Sequence, residues 1–221
     1  NFAECWPGAS GRVNMSGFIR GNANKPEIDL KLSGNNVGIA GSSIHKLQME
    51  TAGTMSADGI INGFIRAEKL QLGNISMATS QLRLTGSPVR HRFEFESRNA
   101  KVAAGFLLDG AVEDNVWRGT VSRARFSGQR YGEWRQQQPV SMEVSTAKAH
   151  FSPLCLATVS STVCAEGSWQ KKDNSWQVHG TTTSLPLAML HPSPLATGPL
   201  SGLVDADVDM VGQQDQIFSA Q

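Results

Sequence analysis

Cysteine, histidine and carboxylate side chains carry the chemical reach of this chain, and their spacing offers one covalent bond and little else. Cys155 and Cys164 bracket Leu156-Ala157-Thr158-Val159-Ser160-Ser161-Thr162-Val163. A chain turning near Val159-Ser160 sets the two thiols face to face across an antiparallel hairpin, where Cα separations of about 4.5–5.5 Å suit a disulfide. Closing a loop of about 10 residues stabilises a fold by roughly 2.7 kcal/mol on the chain-entropy relation. Such a bond implies an oxidising compartment such as the bacterial periplasm; two reduced thiols on neighbouring strands remain the alternative. The pair does not suggest zinc, which takes four ligands, because no histidine pair stands nearby at ligand spacing. Cys5 has no evident mate within the sequence.

The five histidines, His45, His91, His150, His179 and His191, are scattered without a partner at i+2 or i+4 and read as solvated strand residues. Asp205, Asp207 and Asp209 imitate the opening of a calcium loop. The sixth position is Met210 where that loop needs glycine, and the twelfth is Gln216 where it needs glutamate. Val204, Ala206 and Val208 between them explain the aspartates better, as the wet side of a strand. Glu94 and Glu96, flanked by Arg92 and Arg98, read as a surface ion-pair ladder rather than an acid/base pair. The chain has no Gly-x-Ser-x-Gly elbow, no phosphate-cradling loop and no His-Glu-x-x-His. Asn14-Met15-Ser16 and Asn74-Ile75-Ser76 match the glycan acceptor triplet, a pattern frequent by chance. No catalytic residue, cofactor or metal is expected, and the chain does not read as an enzyme.

Alternation dominates the sequence instead. Apolar and polar residues exchange places with a period of two, which puts one set on each face of a sheet. Ile28, Leu30 and Leu32 form one such set; Leu47 and Met49, Leu70 and Leu72, and Leu82 and Leu84 form others. Phe93 and Phe95 stand between charged neighbours, and Val140, Met142 and Val144 between polar ones. No stretch has helical spacing. The fold expected is all-β, an elongated antiparallel or mixed sheet whose apolar members converge on one continuous interior face.

Composition narrows the function classes. The 221 residues carry a formal net charge of +1 with 18% charged residues, which provides no basic footprint for nucleic acid. Apolar runs are too short for a spanning helix, and the 22 glycines suit many turns. Ser16-Gly17-Phe18-Ile19-Arg20 recurs 46 residues on as Asn62-Gly63-Phe64-Ile65-Arg66. That offset suggests a stacked repeat of about four strands per unit. Trp117 and Trp176 open strands, and their rings are expected to cap the apolar face. Three prolines between Ser184 and Leu195 break the alternation, Pro186 opening a short helical turn that Pro192 and Pro194 end. The chain is expected to be one elongated β-groove segment over residues 1–221, with a sub-boundary near 184–199. Asn1 and the strand-like end at Ile217-Phe218 suggest a middle piece of a longer protein.

The order of motifs from Trp117 to Leu203 carries a resemblance. Trp117-Arg118-Gly119 is followed by Gly132-Glu133-Trp134 and Pro139-Val140. Leu154-Cys155-Leu156 with Cys164, Gly167-Ser168-Trp169 and Leu185-Pro186-Leu187 come next. This series is similar to the periplasmic region of the AsmA-like bridge proteins, the family of the inner-membrane subunit of the translocation and assembly module. The resemblance implies a long sheet curled into an open, taco-like groove with an apolar interior. It implies a periplasmic location with an inner-membrane anchor outside this chain, and an outer-membrane barrel partner of the Omp85 type, TamA-like, contacted by regions outside it. It also implies outer-membrane protein substrates, autotransporters included, and transport of phospholipid between the membranes, with acyl chains in the groove.

Three functions compete for such a surface. A greasy trough holds acyl chains without specific sites, since each CH₂ contributes about 0.8 kcal/mol wherever it rests. A chaperone-like scaffold would instead bind nascent outer-membrane strands by edge pairing or in the groove. A β-helix adhesin or carbohydrate-active protein would need a cluster of carboxylates and aromatics on an outer face, which the sequence does not offer. Alternation alone fits an open groove and a closed sandwich equally.

Overall fold

The computed structural model describes residues 10–39, 41–73, 75–129, 131–190, 201–213 and 216–220. Cys5, His191, Pro192 and Pro194 lie outside them, as does most of the 184–199 stretch. The chain is all-β. It divides between Val112 and Glu113 into two compact units.

The first unit holds β1 (Ser10–Asn22), β2 (Lys25–Ile39), β3 (Ser42–Thr54), β4 (Ile61–Leu72), β5 (Ile75–Gly86), β6 (Arg90–Arg98) and β7 (Val102–Glu113). Each strand pairs antiparallel with the next in a meander. Short turns make this possible. Asn22 Oδ1 accepts from the Asn24 and Lys25 amides, and Ser87 Oγ accepts from those of Val89 and Arg90. Asn99 Oδ1 does the same for Lys101 and Val102, so backbone donors that the ladder leaves over are met locally.

The second unit holds β8 (Val116–Gly128), β9 (Gly132–Gln136), β10 (Val140–Val144), β11 (Lys148–Ala157), β12 (Thr162–Gln170), β13 (Ser175–Pro186), β14 (Leu203–Gln213) and β15 (Gln216–Ala220). Strands β10 to β15 run as an antiparallel meander. β9 and β10 fill one position end to end. β10 pairs β8 at Trp117–Val121, while β9 pairs β8 at Arg125–Gly128 and touches β11 at Leu156 and Ala157. Leu187–Leu190, directly after Pro186, makes the expected short turn of 3₁₀-helix. No helix among the described residues is long and apolar enough to cross a membrane.

The repeat is built differently from its sequence expectation. Strands of 12 to 15 residues fit three, not four, into the 46-residue offset, so β4 corresponds to β1 and β5 to β2. Leu70 and Leu72 therefore sit on the same strand as Gly63, and the counterparts of Ile28 and Leu30 are Leu82 and Leu84. The register shows it: Leu30 stands opposite Gly17, and Leu84 opposite Gly63.

Candidate functional site

Cross-strand pairs share a face, so the register assigns each apolar side chain to one. In the first unit Leu32 lies opposite Met49, Met49 opposite Ile65, Ile65 opposite Leu82 and Leu82 opposite Phe95. Two residues along, Leu84 lies opposite Phe93, and Phe93 opposite Leu108. Ile28 and Leu30 continue the face on β2, and Leu47, opposite Ala67, on β3.

Strict alternation would throw Leu70 and Leu72 to the other face. The strands avoid this with a break in phase. Asn36 and Lys69 have left-handed backbones, with φ near +50°, and pairing skips the positions 36/45, 45/69 and 69/78 in three successive strand pairs. Beyond that line Val37 faces Ile44, Ile44 faces Leu70 and Leu70 faces Met77, with Leu72 opposite Ile75. A Cβ on Gly34 would meet Val37 Cγ2 at 2.7 Å, so Val37 lies on the Leu47 side of the sheet. The eleven candidate residues from Ile28 to Phe95 thus share one face of the first unit.

That face is thinly covered. Among the described residues the buried apolar side chains are Ile28, Val37, Ala67, Trp134 and Val140, and no large side chain is fully buried. Met15 is 72% exposed, Ile19 68% and Ile75 59%; Leu72 and Phe106 are also open. The register sets Met15 beside Leu32 and Ile19 beside Ile28, on the same face. A packed core places such residues out of water. Ser80 and Ser97 sit buried on this face and answer each other's hydroxyls at 2.6 Å.

In the second unit Met142 stands between Gly119 and Phe151, Val144 between Trp117 and Ala149, and Val140 opposite Val121. Trp117 lies over Gly119, whose added Cβ would meet the indole at 2.3 Å, and Phe151 lies over Gly167. The two Trp strand openers therefore sit on the apolar side: Trp176 pairs Trp169, which pairs Ala149.

The Cys155–Cys164 disulfide is present, closing the hairpin with Cα atoms 4.0 Å apart. A turn in which Thr158 and Ser161 bond each other spans it. A bulge between Phe151 and Leu154 shifts the phase of β11, so Leu154 and Leu156 join the Phe151 face. The disulfide projects from the other side, in a row with Thr181 and Asp207.

The polar face carries the ion pairs. Arg20 holds Glu27 through two hydrogen bonds of 2.8 and 2.9 Å, which pull the carboxyl below its usual range. Arg92 pairs with Asp109, its cross-strand neighbour on β7, at 2.6 Å, and Glu94 on its own strand adds to the pull on the guanidinium. Glu143 accepts from Lys148 at 2.7 Å and Arg118 at 3.3 Å.

His179 is the residue that linear spacing misses. Its Nδ1 lies 3.0 Å from Asp209 Oδ1 and 3.5 Å from Asp207 Oδ1, and Glu166 stands opposite it on β12. The hydrogen bond to Asp209, helped by the three nearby carboxylates, raises the imidazole pKa. The aspartate alternation on β14 was the signal. It identifies the partner only once β13 is laid antiparallel beside it.

The family described as TamB, N-terminal domain, matches residues 1–221. Over 131 residues the chain is 28% identical to the translocation and assembly module subunit TamB of Haemophilus influenzae, covering 57% of this chain and 10% of that relative. No solved structure matches.

Proposed function

The chain belongs to the TamB N-terminal domain family, and on that premise we propose that it is a section of a periplasmic bridge whose apolar sheet face holds phospholipid acyl chains in transit between the inner and outer membranes. The observation that carries this reading is the run of large apolar side chains on one face of the first unit, with Met15, Ile19, Leu72, Ile75 and Phe106 left open to solvent. Soluble monomers rarely expose contiguous apolar patches beyond a few hundred Å² unless something binds there. Acyl chains suit such a face because they bring no polar groups to satisfy. A chain moving along rows of Leu, Met, Ile and Phe exchanges one set of dispersion contacts for an equivalent one. The relative's printed name points to a translocation and assembly module, and its match covers only a tenth of that protein. We therefore assign to the whole protein the membrane anchor, the TamA-like outer-membrane barrel and the outer-membrane protein substrates. This section contributes the surface, not a reaction.

Native mass spectrometry of the chain purified from bacterial membranes in mild detergent tests the reading. Co-purified phospholipid that is lost when Leu32, Met49 and Leu82 become Asp supports it. Lipid-free chain under conditions that keep the sheet folded overturns it, and co-purified unfolded polypeptide in its place would favour the chaperone function.

A further inference from the structure

We propose that His179, Asp207 and Asp209, with Glu166 beside them, bind a first-row divalent transition-metal ion on the polar face of the second unit. The donor atoms of the first three all lie within 4.8 Å of one another. Ligands held about 2.0–2.1 Å from a tetrahedral zinc stand about 3.3 Å apart. Nδ1 of His179 is already 3.5 Å from Asp207 and 3.0 Å from Asp209, so the ion needs only small side-chain rotations to seat itself.

The scaffold is set by the ladder rather than by a loop. His179 is directly opposite Asp209 on β14 and directly opposite Glu166 on β12, and Asp207 lies one pleat along on the same face. Glu166 on the third strand is a neighbour of the imidazole, with Cβ separations of about 4.5–5.5 Å between opposite residues, and its carboxylate would have to swing in to serve as a fourth donor. The disulfide, one pleat from Glu166 on β12, ties that strand to β11. The donor set decides the class of ion. One imidazole nitrogen with carboxylate oxygens suits zinc, cobalt or nickel, whereas calcium takes oxygen ligands throughout. Three carboxylates around one imidazole also leave a local negative charge that a divalent cation offsets. The site faces away from Phe151 and Met142, so metal and acyl chain do not compete for it, and the proposal stands apart from the lipid reading.

Equilibrium dialysis of the 221-residue chain against Zn²⁺ at pH 7.5, with Co²⁺ absorption as a second readout, tests it. One equivalent of zinc should bind, and Co²⁺ should give a visible d–d band of low coordination. His179→Gln and Asp209→Asn should each weaken binding by at least about tenfold, while His150→Gln, on the same face outside the cluster, should leave it unchanged. Asp209→Asn keeps the shape of the side chain, and circular dichroism of the variant distinguishes lost ligation from lost fold. Zinc should also raise the melting temperature of the native chain and not that of His179→Gln. Binding that is absent, or indifferent to both cluster substitutions in folded protein, overturns the site.

Discussion

Phe95 stands directly opposite Phe106 across β6–β7, their ring centroids 5.3 Å apart, and Phe106 keeps 36% of its surface in contact with solvent. A sealed core would hide both rings. Here one aromatic leans on the other while a third of the partner faces outward, so this part of the sheet face is left uncovered.

Phe106→Asp should therefore leave the sheet folded, because the new carboxylate stays hydrated. A charge forced into a sealed core would cost several kcal/mol and unfold the protein. In cells that depend on the protein, the same substitution should abolish lipid traffic by placing a charge in the path of acyl chains. Thermal melting and growth decide together. A collapse in stability would mean a closed core, and normal growth with a stable protein would contradict the conduit.

The two copies of the Gly-Phe-Ile-Arg motif should respond differently to the same change. Gly17 has φ of +147°, and a Cβ there would come within 2.0 Å of the Asp29 carbonyl oxygen. A Cβ on Gly63 would meet the Leu84 side chain at 3.4 Å and Thr51 Oγ1 at 3.8 Å, both ordinary contacts. Gly17→Ala should destabilise by about 1–3 kcal/mol, as strained backbone positions do, and Gly63→Ala by well under 1. Urea titration of the two variants side by side is sufficient. Equal effects would show that the motif is not bent at Gly17 alone.

Period-two alternation made the strands legible, since a sheet with one wet face writes its pattern directly into the sequence. Ile28, Leu30, Leu32, Phe93 and Phe95 needed nothing more to be assigned to one face. Leu70 and Leu72 joined them through left-handed residues at Asn36 and Lys69, and a positive φ at lysine has no composition cue. His179 was illegible for another reason. Its aspartate neighbours are 28 and 30 residues away in sequence, and only antiparallel pairing, which sums positions to a constant, brings them together. Strand length is hidden in the sequence because glycines inside β1, β3 and β4 look like turns, so the 46-residue offset suggests four strands where three fit.

Glu143 supplies a pH test. The Lys148 ammonium, and after it the Arg118 guanidinium, hold this carboxyl below its ordinary pKa. A depressed carboxylate pKa contributes stability that is present above the unfolded value, about 4.3, and is lost as pH falls through the lower folded value. Melting temperature measured from pH 6 down to pH 3 should fall less steeply for Glu143→Gln than for the native chain. Because the pair is exposed, the difference should also shrink at 0.5 M salt. Identical acid limbs for the two proteins would remove the ladder from the stability of β10 and β11.

The disulfide sits on the opposite side of the sheet from the apolar rows. Cys155 and Cys164 project from the polar face, while their neighbours Leu154, Leu156 and Val163 line the apolar one. Reducing the bond, or replacing both residues by serine, should cost about 2.7 kcal/mol through the freed loop of about 10 residues and leave the apolar rows of β8, β10 and β11 unchanged. The double-serine protein should then melt earlier yet retain the same co-purified lipid at a temperature where both proteins are folded. Peptide mapping without reductant checks the premise, and two free thiols in protein taken from the periplasm would contradict it. Lost lipid in a folded double-serine variant would mean instead that the hairpin clamps the apolar face from behind, making the disulfide part of the conduit rather than a brace on its outer side.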